Sequence, residues 1–308
     1  MLVSIVITTH GRTELLRKAV ISALEQSYPK TEVIVVDDNA DNEEIRLKVK
    51  DIMSDYPQCK VIYNDVNLGG SLSRNAGIKA ATGEYISFLD DDDTYHRDKV
   101  SKSVELYQKV KDENIGLIYS YCAVVDKDGV RLGEYHNYAE GVPLYEHMVS
   151  CLAATSQWFC PKKALNDVGM FEDVPCKQDS IALLKLLAYG YKVCCIPEEL
   201  VNYTEHNQGR ISGVSEKNVS GILEWRKWCR KYYDRLTEQQ IKNVEVSIAH
   251  NLITLYSLMG KRKDAKECLR EMRKYSGISK EYINGCVKCA MGKSYSKMIR
   301  GTKAWRKR

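Results

Sequence analysis

Asp90, Asp91, Asp92 and Asp93 stand side by side, directly after the apolar run Tyr85-Ile86-Ser87-Phe88-Leu89. Carboxylates this close push one another toward protonation unless a cation lies among them. Hard oxygen ligands select Mg²⁺ or Mn²⁺, and Mg²⁺ is typically held by one or two carboxylates together with substrate phosphates. In open α/β sheets, ligands bind beyond the carboxyl ends of strands, which is where this run falls. A solvated acidic turn is the alternative reading, and the strand-like run before it weighs against that.

Such a cluster needs a rigid edge, and the first hundred residues supply one. Val3 to Thr8 reads as a strand, Arg12 to Gln26 as an amphipathic helix, and Glu32 to Asp37 as a strand buried on both faces. A helix over Asn42 to Tyr56, a strand over Lys60 to Tyr63, a helix over Ser71 to Ala81 and a strand over Glu84 to Leu89 follow. This alternation implies βαβ units and a parallel sheet. Further on, Asp98 to Lys111 and Lys177 to Tyr189 read as helices. Gly116 to Val125, Lys192 to Cys195 and Leu200 to Tyr203 read as strands, with a polar loop over 206–214. From Ser215 onward only helical periodicity remains, with one hairpin of the tetratricopeptide type about Gly260. One hairpin cannot form an array, so a helical cap is the simpler expectation.

Composition narrows the class. The chain has 308 residues, 44% hydrophobic and 28% charged, as in ordinary soluble globular proteins. No apolar run approaches the roughly 20 residues that cross a bilayer. The apolar start, Met1 to Ile7, has no basic lead or small-residue cleavage site and reads as a strand, not a signal peptide. The 11 cysteines are scattered through apolar segments, which fits reduced thiols in a cytoplasmic protein. Cys286-x-x-Cys289 is a lone pair and a poor zinc or redox motif. Net charge is +5, and seven basic residues with no acid run from Lys293 to Arg308. That tail is either a solvated end or a contact for an anionic membrane surface; nucleic acid is not an expected partner.

Five segments in order resemble glycosyltransferase family 2, the inverting nucleotide-sugar transferases of GT-A fold. They are Ser4 to Arg12, the Ile21-x-Ala23-Leu24-x-Gln26-Ser27-Tyr28 stretch, Val35-Val36-Asp37-Asp38-Asn39, Asn67-x-Gly69-Gly70-x-x-x-x-Asn75-x-Gly77, and Gly83 to Asp93 with its D-x-D pair. The resemblance covers about residues 2–210. It implies a UDP-sugar donor, Mn²⁺ or Mg²⁺ as cofactor, and site roles by position. Asp92 and Asp90 would hold the metal and Asp91 the ribose hydroxyls, with Asp93 a turn or capping residue. Asp38 would accept the uracil N–H, while Thr8 and His10 would meet the base. Arg12 and Arg74 would contact phosphate, base or ribose. His206 would complete the metal or diphosphate site, and Arg210 would hold the diphosphate under a closing loop. Asp179, after the Gly169-Met170-Phe171-Glu172 element, matches the family's catalytic base, with helix capping as its alternative. His10 stands where tyrosine is commoner, and Gln178 where glutamate is.

The expected organisation is a GT-A catalytic domain over 1–213, with a nucleotide-binding half (1–93) and an acceptor half (94–213), then a helical region with basic tail over 214–308. The expected acceptor is a saccharide or lipid-linked saccharide, the expected setting surface-polysaccharide assembly at the cytoplasmic face of a membrane. No Q-x-x-R-W element of processive members is present; Trp225-Arg226-Lys227-Trp228 has the wrong pattern. Two rival readings stay open: a sugar nucleotidyltransferase, and a non-catalytic scaffold acting through the helical region. Trp158 is read as a core residue before a sugar-stacking one.

Overall fold

The computed structural model describes residues 1–205, 213–292 and Ser294. His206, Arg210 and the basic residues of the tail lie outside the described residues. The first part of the chain runs β1 (Val3–Thr9), α1 (Thr13–Leu24), β2 (Thr31–Asp37), α2 (Glu43–Ser54), β3 (Lys60–Tyr63), α3 (Gly69–Ala80), β4 (Tyr85–Asp90) and β5 (Thr94–Tyr95). Then come α4 (Lys99–Val110), β6 (Ile115–Asp126), β7 (Arg131–Tyr135), α5 (Leu144–Val149), β8 (Trp158–Pro161), α6 (Lys162–Asp167), α7 (Gln178–Tyr189) and β9 (Lys192–Glu205). The helical part is α8 (Glu216–Arg230), α9 (Glu238–Met259), α10 (Arg262–Ser276) and α11 (Lys280–Met291).

One sheet carries the order β3-β2-β1-β4-β8-β6-β9-β5, with β7 added on β6. β3, β2, β1 and β4 are parallel, as the alternation of strands and helices requires, while β8 is antiparallel to both its neighbours. This is the mostly parallel α/β sheet expected, with a mixed second half. Lys192 to Tyr203, expected as two strands, lies within the single strand β9, parallel to β6 with register shifts about Ser120 and Tyr121. The inner strands are apolar on both faces because helices cover both: Ile5, Ile7, Ile34, Val35, Val36, Ile86 and Phe88 are fully buried. Trp158 is also fully buried and stacks on Phe171 at 5.9 Å, a core residue.

The register fixes where the chemistry falls. Thr8 pairs with Val36 and with Asp90, and Thr9 with Asp37, so β1, β2 and β4 end level. The link from β2 to α3 is then made by one carboxylate. Asp38 Oδ1 accepts from Leu68 N (2.8 Å) and Asn64 Nδ2 (2.7 Å), and Oδ2 accepts from Gly69 N (2.7 Å). An anion at the start of a helix satisfies backbone N–H groups that have no partner within the helix. Gly69 has φ +74°, and a Cβ at Gly77 would stand 2.3 Å from Val6 Cγ1, so α3 packs tightly on β1 only with glycine there. Asn75 clamps Phe171 through both its backbone groups, at 2.8 and 3.0 Å.

The chain divides into two compact units: residues 1–144, 151–173 and 178–208, and residues 145–150, 174–177 and 209–308. The boundary expected near Gly213 does not foresee the two short stretches that join the second unit. In that unit Ser215, Thr237 and Ser279 cap α8, α9 and α11, and Gly260, at φ +79°, ends α9 where the hairpin was expected. Ala249, Ile253, Ala265, Met272 and Cys289 form the core of α9, α10 and α11. Glu245 is 1% exposed and accepts from Arg226 (2.7 Å), Arg230 (2.8 Å) and Tyr233 (3.0 Å). Against the penalty of burial, the two guanidinium groups keep its carboxyl below the usual range. Among the described residues no helix is long and apolar enough to cross a membrane.

The Asp38 clamp on the start of α3 and one buried cation each set an expectation for stability. Asn at position 38 would turn an amide NH₂ toward N–H donors, so Asp38→Asn should lower unfolding free energy by about 1–3 kcal/mol; an unchanged urea midpoint would refute the clamp. Lys99 is fully buried, donating to Ser87 Oγ (2.5 Å) and Trp158 O (2.7 Å), and burial lowers its ammonium from 10.5 to about 7. Between those values the unfolded chain binds the extra proton, so this site makes stability rise with pH, by at most about 1.4 kcal/mol per pH unit. Lys99→Met removes that slope. Denaturation at several pH values should therefore show the variant's relative stability falling as pH rises, and a constant difference would contradict it.

Candidate active site

The carboxyl edge of β1, β2 and β4 gathers most of the expected residues. Ligand oxygens of Asp90, Asp92 and Asp93 lie within 4.8 Å of one another. Asp93, expected as a turn or capping residue, is 2% exposed; its oxygens accept from Ser156 Oγ at 2.6 Å and from Thr204 N at 3.0 Å. It therefore fastens the end of β4 to β9 and faces its acidic neighbours. Burial first, then Asp92 and Asp90, raise its carboxyl well above the usual range. Consecutive acids were the signal in the sequence for it, but its partners are remote and leave none.

Two arginines reach into the cluster. Arg12 places Nε 2.7 Å and Nη2 2.5 Å from Asp91 Oδ1, and Nη1 3.0 Å from Asp92 Oδ2. Asp91 is fully buried and its other oxygen accepts the His10 amide at 3.2 Å. Burial pushes the Asp91 carboxyl up to about 6 against the pull of Arg12. Asp91, expected at the ribose, is thus engaged in holding the β1–α1 loop. Arg74 Nη2 lies 2.5 Å from Asp90 Oδ1, and Asp90 N donates to Ser156 Oγ at 3.1 Å.

The loop itself is shaped by Asn39, whose Oδ1 accepts from Gly11 N at 2.7 Å and whose Nδ2 donates to Asp37 Oδ1 at 2.6 Å. Thr8 is half-buried at the end of β1, and His10 is exposed, with Nε2 3.0 Å from Asn67 Nδ2 and 3.3 Å from Asp41 Oδ1. Asn39, Asn67, Asp41 and Ser156 are site residues that sequence reasoning missed. Asn39 and Asn67 lie inside motifs already singled out, Asp41 just beyond one, and Ser156 in a stretch without periodicity.

Asp179 is the second residue of α7, not its cap. Its Oδ1 accepts from Ser180 N at 2.7 Å, and it is half-buried. The adjacent Gln178 brings this helix start to α3: a Cβ built on Gly70 would meet Arg74 Nη1 at 3.2 Å and Gln178 Nε2 at 3.6 Å. So Arg74, which holds Asp90, and the start of α7 converge on one glycine. Glu172 is paired with Lys185 Nζ at 2.5 Å and is the poorer candidate for a base. A second cluster, Glu134, His136 and Glu199, is explained by ion pairing: Arg131 forks onto Glu199 and, with His136, holds its carboxyl down to about 2.

The donor set fits a divalent cation. Three carboxylates offer hard oxygens at spacings a small adjustment would close round an ion, as Mg²⁺ and Mn²⁺ prefer. Among the described residues two arginines do not balance four acids, and after burial it is the acidic neighbours Asp92 and Asp90 that raise the Asp93 carboxyl.

Comparison with known proteins bears on the fold and the family. The "Amylovoran biosynthesis glycosyltransferase AmsB" of Erwinia amylovora is 25% identical over 297 residues, 94% of this chain and 95% of that protein. Among solved structures, S. aureus TarS superposes with TM-score 0.61 at 16% identity over 92% of this chain, which spans 50% of the TarS chain. Its residues 1–349 with UDP-GlcNAc give 0.56 at 16% identity over 95% of this chain and 81% of that one. The mannosyltransferase PcManGT from Pyrobaculum calidifontis, with GDP-Man and Mn²⁺, gives 0.57 at 17% identity over 96% of this chain and 87% of that one. These likenesses speak for a shared GT-A fold alone. Residues 4–169, more than half of the chain, match the family described as "Glycosyl transferase family 2", and to that family the chain belongs.

Proposed function

We propose that the protein is a metal-dependent, inverting glycosyltransferase that moves one hexosyl or N-acetylhexosaminyl group from a UDP-sugar to a saccharide or lipid-linked saccharide. The observation that carries this is the convergence of Asp90, Asp92 and Asp93 at the strand edge, beside Arg74 and the start of α7. Asp90, Asp92 and Asp93 would hold Mn²⁺ or Mg²⁺, and PcManGT, of like fold, is described with Mn²⁺. Bound there, the cation would offset negative charge on the departing nucleoside diphosphate.

The chain's own groups do the rest. Asp38 Oδ2 accepts one hydrogen bond and keeps one acceptor position for the imide N–H of uracil. Thr8 and His10 flank the base, and His206 and Arg210 join the diphosphate. Arg12 acts through Asp91 and Asp92, fixing the loop and one ligand. Asp179 takes the proton of the acceptor hydroxyl as its oxygen attacks the anomeric carbon opposite the leaving group, which inverts that centre in one displacement. TarS, described with UDP-GlcNAc, supports a uridine donor, and AmsB, named for amylovoran biosynthesis, supports work in surface-polysaccharide biosynthesis, which we place at the cytoplasmic side of a membrane. The basic tail would hold the enzyme at an anionic surface there.

Asp179→Asn keeps the size of the side chain and removes the proton acceptor. Transfer should fall by about 10²- to 10⁴-fold while UDP affinity changes little, and near-normal turnover with the true acceptor would end this assignment. Asp92→Asn should weaken Mn²⁺-dependent UDP binding with the circular dichroism spectrum unchanged. Equal affinity in calorimetry would remove Asp92 from the metal site.

A further inference from the structure

A cavity of about 750 Å³ lies within the second unit, walled by the segment 145–149, by α9 and by the turn from α10 into α11. The volume falls in the range of small-molecule sites, and the wall is mostly polar where such sites are usually apolar. Its groups are held in place by one another. Asn243 Nδ2 donates to Tyr145 Oη at 2.8 Å, which leaves the Tyr145 O–H as a donor beside an aromatic face. Lys242 is tied to Glu238 at 2.6 Å.

His250 is the most constrained group on that wall. Lys288, only 4% exposed, places its Nζ 2.7 Å from His250 Nε2 and 2.7 Å from Thr254 Oγ1. An ammonium has hydrogens to give and no lone pair, so Nε2 must accept. The imidazole is therefore neutral, with its proton on Nδ1, and a buried cation stands behind it to polarise that N–H. Burial, then Lys288, keeps the imidazole below its usual range. Lys280, the first residue of α11, also lines the cavity, and Glu281 is the one acid among the lining residues.

The wall thus carries two lysines, one of them paired with Glu238, against a single lining acid, and an aromatic ring and an amide stand beside them. We propose that this cavity binds a saccharide bearing a carboxylate or phosphate group, with the anion facing His250 and Lys280 and hydroxyls meeting Asn243 and Tyr145. The proposal does not depend on the reading of the acidic edge.

The test uses the full chain with ¹⁵N-labelled histidine, and His250→Phe assigns the signal. Trigalacturonate, maltotriose and inorganic phosphate are added in turn. Trigalacturonate should shift the His250 signals saturably, and Lys280→Glu, a change at an exposed position, should weaken that binding by about tenfold or more. A phosphate response with the same dependence on Lys280 also supports the site and assigns the anion to phosphate. Equal response to neutral maltotriose, indifference to Lys280→Glu, or no saturable shift with any of the three would overturn it. Hydrolysis of a UDP-sugar by Lys280→Glu should stay at the parent's level, which separates this site from the acidic edge.

Discussion

Four adjacent carboxylates repel one another, and much of the catalytic unit is arranged so that they stay together regardless. Their ties run to separate parts of the chain. Asp90 is held by Arg74 on α3, Asp91 and Asp92 by Arg12 before α1, and Asp93 by Ser156 and by the backbone of β9. The ties come from parts of the chain up to 111 residues away. Because β1, β2 and β4 end level, those partners arrive at one edge. Charge imbalance persists there, and burial makes it costly. Asp91 and Asp93 are buried in that concentration of acid, a cost that a bound cation would offset, which is a reason to see the edge as a binding site and not as a structural accident.

The parallel half of the sheet was legible because its signals are local. Buried strands read as continuous apolar runs, glycines mark the turns, and the acids follow the strand that carries them. The same holds for the glycine motif before and within α3: Gly69 takes a left-handed conformation, and Gly77 lets a helix touch Val6. The stretch 130–165 gave little. Its elements are short, with α5 and α6 of six residues each and β8 of four, too few for a period to emerge. β8 sits antiparallel between β4 and β6, a pairing set by tertiary contacts alone.

Within the site, residue types were legible and partners were not. Asp38 was expected to face a base, and its carboxylate also accepts from Asn64 and from the backbone at the start of α3. Asp91 was expected at the ribose and is wholly buried under Arg12. Asp93 was expected as a turn or capping residue; its N–H does close a turn on Asp90 O, and its carboxylate joins the acidic cluster. In each case the identity of the side chain pointed to a carboxylate's work, while the groups it serves lie far along the chain. The second unit repeats the lesson. Its helices and the hairpin about Gly260 follow from periodicity and capping, whereas the pairing of Lys288 with His250 across 38 residues has no sequence signature.

We propose that the acidic edge binds a nucleoside diphosphate through a divalent cation. Thermal unfolding of the full chain with UDP, titrated with and without Mn²⁺, tests it most directly. Ligand present at 100 times its dissociation constant stabilises the native state by about 2.7 kcal/mol. A rise of that order is expected with UDP and Mn²⁺ together and little with either alone. Equal stabilisation by UDP with the metal chelated, or none under any condition, would contradict it.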